Sequence, residues 1–266
     1  MNDPSYERAR CLSRRIAAAV GTPRFYMEKD GEIALSGRMY RADASARACA
    51  RIVEKRGDRL GHGLDHSAKV AVESGALVMI EGGPHIPRAE LQRLVGLAHL
   101  AGILHDIRRE EKNHARCGAE AAVAVLSSLR LPDEDIGIVS RAIINHEAFQ
   151  PEQPADDRES QLISDALYDA DKFRWGPDNF TDTIWAMLAD RDIPLVKVLP
   201  RFLGGLDGIR RIRDTFRTAA GRRYGPDFID RGLAIGTRLY AELTSDVSPE
   251  GGNAHASDQP QDDPAL

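Results

Sequence analysis

Residues 100–115 read LAGILHDIRREEKNHA, and the histidine–aspartate pair inside them decides how the rest of the chain is read. From Leu91 the apolar positions run Leu94, Val95, Leu97, Ala98, Leu100, Ala101, Ile103 and Leu104, interrupted only by Gln92, Arg93 and His99. So little solvent face predicts a buried central helix. His105 and Asp106 fall in its last turn. A bare carboxylate in such a place costs several kcal/mol or more, so Asp106 needs a counter-charge, hydrogen-bond donors or a metal. The rest of the sequence has to supply that partner.

The chain has 266 residues, enough for one large domain or two small ones. With 42% hydrophobic and 29% charged residues it has the composition of an ordinary soluble protein. A net charge of −5 argues against a dedicated nucleic-acid binder, which is usually basic. Cys11, Cys49 and Cys117 are scattered and form no CxxC pair, so they read as reduced thiols rather than disulfide or zinc ligands. The first twenty residues carry only a short apolar run, Ile16 to Val20, too weak for a signal peptide. No stretch approaches the roughly 18–20 apolar residues of a membrane span. The expected location is the cytoplasm, with no membrane and no nucleic-acid partner.

Outward from the central helix the pattern stays helical. Residues 4–20 predict a helix, and Ala44 to Lys55 another, with Asp43 as N-cap. The segment 24–40 is ambiguous, and its Asp30-Gly31 predicts a small hairpin turn. The turn RGDRLGHGLDH (56–66) delivers the chain into a helix starting near Asp65. Helices are expected over 65–80, 89–107, 114–129, 134–148 and 159–173. Pro84, Pro87, Pro132, Pro151 and Pro154 fall between these spans, where helix breakers belong. Further helices are expected near 180–190, 194–218 and 226–244. From Asp246 the chain is polar and rich in Pro and Gly, which predicts disorder. The fold class is all-α.

Four of these helices carry a candidate ligand on their apolar stripe. His66 shares a face with Val70, Ser74 and Leu77; His105 lies with Leu94, Ala98 and Ala101. His146 follows Val139, Ala142 and Ile143, and Asp171 continues the line Ile163–Leu167. Asp169 shares a more polar line with Leu162 and Asp165, so the helical phase favours Asp171 as the inward carboxylate. A lone histidine on an apolar stripe is usually a hydrogen-bonded core residue. Several inward histidines and carboxylates together neutralise one another most cheaply by sharing a metal.

Three segments, HGLDHSAKV, ILHDIRR and DADKF, resemble the HD-domain superfamily of metal-dependent phosphohydrolases over roughly residues 60–175. The resemblance implies a single helical HD-domain bundle at 60–175, with helical extensions at 1–59 and 176–245 and a disordered tail at 246–266. Carried over by position, His66, His105, Asp106 and Asp171 are implied as metal ligands. His62 precedes His66 by one turn, but Gly61 and Gly63 place it in the turn, so it ranks lower. His114 and His146 stand where some branches of the superfamily hold a second metal, with Asp106 bridging the two. The chain lacks the GYP segment of the branch that cleaves cyclic dinucleotides.

The resemblance implies one or two divalent transition-metal ions (Fe, Mn, Co, Ni or Zn), which suit imidazole and carboxylate ligands without thiolate. The implied reaction is attack of metal-activated water on a small phosphoester, with a nucleotide as the expected substrate. Of the flanking Arg108, Arg109, Arg141, Lys172 and Arg174, most read as solvated helix charges. Arg109 and Lys172 are the choices for phosphate contacts. Glu110 is a candidate for positioning water or protonating a leaving group. The alternatives are a non-catalytic nucleotide-binding regulatory module and a di-iron oxygenase of the same superfamily. Competing motifs fail. His146-Glu147 opens an HExxH pattern that Gln150 breaks, and there is no GxSxG elbow or GxxxxGK[ST] loop. Residues 178–244 are expected to cap or flank the site and to influence substrate choice.

Overall fold

The computed structural model describes residues 4–57, 60–83, 85–155 and 157–245, and among these there is no strand. The expected disorder from Asp246 onward lies outside the described residues. In chain order the helices are α1 (Pro4–Val20), α2 (Arg24–Glu28), α3 (Asp30–Ala42), α4 (Ala44–Arg56), α5 (Leu64–Gly82) and α6 (Arg88–Leu104). They continue as α7 (His114–Ser128), α8 (Asp133–Ile144), α9 (Arg158–Phe173), α10 (Ile184–Asp190), α11 (Leu195–Ile212) and α12 (Ala219–Ser245). A single π-helical turn, Asn179–Thr183, leads into α10. No described helix is long and apolar enough to cross a membrane.

The sequence expectation of a buried central helix holds. In α6 every residue from Leu97 to Leu104 is buried, together with Leu94 and Val95. Its closest neighbour is α5. A Cβ placed on Gly102 would lie 2.4 Å from the Cα of Ala71, so this crossing requires a residue without a side chain. The α5 and α9 helices flank α6 on one side, α8 packs beside α6 and α9, and α7 lies on α8. From the N-terminal segment, α3 and α4 cover α5 and α6, while α1 lies along α12. Phe25 of α2 inserts among Phe173, Tyr224 and Phe228, with ring centroids 5.1, 5.5 and 6.3 Å away. The short α2 and the last helix therefore share one core around the end of α9.

Local capping matches its residues where the cap is near in sequence. Asp43 accepts from the amide of Ala46 at 2.7 Å to start α4. Asp157 accepts from the amides of Glu159 and Ser160, both at 2.8 Å, to start α9.

Several spans differ from expectation. The hairpin at Asp30-Gly31 is absent, because the flanking residues also satisfy a helical period. Ile33, Ser36, Gly37 and Tyr40 form one face of α3 that packs against α5. Asp30 and Glu32 sit in its first turn, where they complement the helix dipole. The helices α6 and α8 end at Leu104 and Ile144, short of the expected 107 and 148, which puts His105 and His146 just past helix ends. The expected 194–218 helix stops at Ile212. Finally, α12 begins at Ala219 rather than near 226 and runs through Pro226. Its start is fixed by a carboxylate from another helix. Asp169 accepts from the amides of Arg217 and Thr218, each at 2.8 Å.

Candidate metal centre

The ends of α6 and α8 build two matching histidine mounts. His105 Nδ1 bonds the carbonyl of Gly102 at 2.8 Å, and His146 Nδ1 bonds the carbonyl of Ile143 at 2.6 Å. Each ring is thereby tied to a carbonyl of its own helix end, with Nε2 turned toward the bundle interior. His62 is fixed in the same manner by the carbonyl of Leu60, at 2.7 Å. The turn that holds it is unusual, with Leu60 at φ +57° and Gly61 at φ +74°. At Gly61 a Cβ would meet the carbonyl oxygen of Thr183 at 3.0 Å, so the glycine serves both the left-handed backbone and the close approach. His66 stands in the first turns of α5 and Asp171 near the end of α9.

These side chains converge around Asp106. Its Oδ2 lies 3.2 Å from His105 Nε2 and 3.8 Å from both His62 Nε2 and His66 Nε2. Its Oδ1 faces a second set, 3.5 Å from His146 Nε2 and 3.7 Å from His114 Nε2. Asp171 Oδ1 joins the first set, at 3.6 Å from His105 and 3.7 Å from His66. The Nε2 atoms of His66 and His105 are only 3.2 Å apart. Among the described residues three overlapping groups have ligand atoms close enough to hold a metal ion. They are His62–His66–Asp106, His66–His105–Asp171 and His105–Asp106–His146.

Two buried carboxylates dominate the electrostatics of the cluster. Burial alone would lower the His105 pKa, yet Asp106 and Asp171 overcome it and raise it to about 10. Asp106 and Asp171 are buried, which favours their neutral forms. His105 for the first and Lys172 for the second nevertheless hold both well below the usual carboxylate range. Burial and the neighbouring imidazoles of His62 and His105 push His66 well down, and burial lowers His114 to about 3. Those rings are neutral, the form that ligates. Asp106 Oδ1 is buried with no hydrogen-bond partner among the described residues. A divalent ion between these groups satisfies the orphaned oxygen and offsets the paired carboxylates, so the donor set fits a metal.

The remaining sequence-predicted residues fall into different roles. Arg109 donates to His114 Nε2 at 2.7 Å and lies 4.0 Å from Asp106 Oδ1. In this arrangement the lone pair of His114 is already engaged. Lys172 is buried with its Nζ 2.6 Å from Asp171 Oδ2, so it holds a candidate ligand. Glu110 is half exposed and pairs with Arg56 at 3.5 Å. Arg108 pairs with Glu111 at 3.6 Å, and Arg141 bonds the carbonyl of Pro154. Arg174 is not a solvated helix charge. It is buried against Glu73 at 2.5 Å and Tyr26 at 2.7 Å. Asp169 is fully buried as the cap of α12.

Three contributors carried little or no signal in the sequence. His62 ranked low because of its glycine-flanked turn, although its one-turn spacing from His66 was the available clue. Glu147 pairs with His114 Nδ1 at 3.2 Å, and only its adjacency to His146 hinted at it. Arg56, at the end of α4, had no clue at all, because α4 meets the site only in the folded chain.

Two cavities open on the cluster. The smaller, about 150 Å³, is lined by Arg56, His62, Asp106, Arg109 and Glu110 among others. The larger, about 950 Å³, includes Gly57, Gly61 and His66 in its lining and is walled by α3, α4, α5, Arg10 of α1 and residues 174–186. Gly57 borders both. Comparison with protein-family models, with curated proteins and with solved structures returned no match.

Proposed function

We propose that this chain is an HD-domain metal-dependent phosphohydrolase of the cytoplasm, acting on a small phosphoester, with a nucleotide as the expected substrate class. The observation that carries this reading is the divided environment of Asp106. One oxygen faces His62, His66 and His105, while the other, buried and unpartnered, faces His114 and His146. Ligands for the first position are His66, His105, Asp106 and Asp171, with His62 alongside. A second ion would use Asp106 with His146, and also His114 once Arg109 releases it. A divalent metal held there supplies Lewis acidity toward water and toward the phosphoryl oxygens.

The protein's own groups account for the rest of the chemistry. The small cavity over Asp106 has room for a phosphoryl group and presents Arg56 and Arg109 to it. A planar guanidinium suits phosphate through paired charge-assisted hydrogen bonds. Glu110 lies at the same cavity, where it can hold a water or pass a proton to the leaving oxygen. Lys172 orients Asp171 from the side away from His66 and His105.

The test is elemental analysis of protein purified without chelator, followed by phosphate release from a panel of phosphomonoesters and phosphodiesters. One or two transition-metal ions per chain and hydrolysis of at least one ester are expected. Asp106→Ala is expected to abolish both. Full metal content in Asp106→Ala, or no hydrolysis by the metal-loaded parent, would overturn the reading.

A further inference from the structure

The larger cavity is far bigger than a phosphoryl group needs, and its charges are unevenly satisfied. Lys69 pairs with Asp178 at 3.2 Å, Arg10 with Asp182 at 3.5 Å, and Arg174 with Glu73 at 2.5 Å. Asp65 belongs to the first turn of α5, where a carboxylate suits the helix dipole. Glu54 lies in the last turn of α4 and lines the cavity. Arg41 is different. It lines the cavity from the corner between α3 and α4, is exposed, and has no ion pair among the described residues. Its guanidinium folds back over Gly37. A Cβ built there would lie 3.3 Å from Arg41 Nη1 and 3.7 Å from Val72 Cγ1. The guanidinium therefore lies beside α5 near the level of Val72. Six residues separate Val72 from His66, which is about 9 Å along the helix. Tyr40, Ile33, Leu64 and Ala68 supply apolar wall between the two ends.

We propose that this cavity seats the body of a phosphoester bearing a second anionic group, with Arg41 as the partner of that group. The inference rests on the phosphohydrolase reading for the placement of the first phosphate at the metal centre. It names Arg41 as a specificity-determining residue, and puts substrate selection in the N-terminal helices as well as in the segment after α9. A molecule with a nucleoside-sized middle and an anion at each end fits both the length and the mixed polarity of the cavity.

Non-hydrolysable probes test it directly. The full chain, loaded with Mn²⁺, is titrated calorimetrically with hexylphosphonate and with hexane-1,6-diyl bisphosphonate. Two equivalent ends alone give the bisphosphonate a twofold advantage. A contact with Arg41 should widen this to roughly fivefold or tenfold, the range of one charge-assisted hydrogen-bonded pair near a surface. Arg41→Gln should return the ratio to about twofold, and Arg41→Lys should keep part of it. Arg201→Gln, on the exposed side of α11, should keep all of it. A ratio near two in the parent, or a wide ratio that survives Arg41→Gln, overturns the inference. Hydrolysis of p-nitrophenyl phosphate by the parent is measured separately. No turnover with a wide, Arg41-dependent ratio overturns the hydrolase reading alone, and turnover with a ratio of two overturns the Arg41 inference alone.

Discussion

Asp169 and Asp171 stand two residues apart on α9 and face different partners. Asp171 meets His66, His105 and Lys172, whereas Asp169 accepts three hydrogen bonds from Arg217 and Thr218 at the start of α12. Asp171→Asn removes negative charge from the candidate metal centre and should lower metal affinity sharply, as read by competition with a coloured chelator. Asp169→Asn turns an amide group toward donors. It should cost about 0.5–2 kcal/mol in urea denaturation, the range for losing a helix cap, with metal content unchanged. The reverse order of effects would contradict the roles assigned here.

His99 offers a second test at this scale. The ring is buried beside Ser36, 2.9 Å from its hydroxyl, and burial lowers its pKa to about 4. Between pH 6.5 and 4 the unfolded chain binds a proton that the folded chain refuses. Stability therefore falls on acidification through that window, by on the order of 3 kcal/mol in full. In metal-free protein, His99→Gln should flatten the pH dependence of the denaturation free energy across the same window. Parallel curves for the two proteins would remove His99 from the acid response.

Among the elements, the α5–α6 crossing sets the distance between His66 and His105. Gly102→Val would drive a side chain into the backbone of Ala71, which a Cβ already approaches to 2.4 Å. Overpacking of this kind costs about 1–3 kcal/mol, and separating the helices should also weaken metal binding. Gly96 is the control on the same helix, since a Cβ there meets nothing within 4 Å. Gly96→Ala should be neutral or stabilising by up to about 1 kcal/mol, because alanine is the better helix former. Thermal melts with and without metal separate the two effects. Equal, small shifts for both variants would show that the crossing tolerates a wider spacing.

For the whole molecule, the proposed metal binding would be linked to folding, because the candidate ligands come from α5, from the turns after α6 and α8, and from α9. Metal at a hundred times its dissociation constant stabilises the native state by about 2.7 kcal/mol, or roughly 5–10 °C in Tm for a chain of this size. Chelation should lower Tm by that amount, and re-addition of Mn²⁺ or Fe²⁺ should restore it. His105→Ala should melt at one temperature in either condition. A metal-dependent shift that persists in His105→Ala would place the bound ion elsewhere.

The same scale separates what was written in the sequence from what folding added. The all-α class, the buried course of α6 and the inward phase of His66, His105 and Asp171 were legible, because apolar periodicity reports which face of a helix leaves water. The exit of His146 into the interior was legible in phase but not in mount, since α8 ends before it and a backbone carbonyl holds the ring. The α3 helix was hidden by an Asp-Gly pair whose turn preference is worth less than the packing of Ile33 and Ser36 against α5. Asp169, Arg56 and Arg174 could not be assigned, because each is defined by a partner far away in the chain: Thr218 for the first, the Asp106 cavity for the second, Glu73 for the third. Local sequence encodes which residues must leave water. Which charge each of them meets there is decided only when helices distant in sequence are pressed together, because a buried charge is satisfied by what lies within a few ångströms of it and not by its neighbours along the chain.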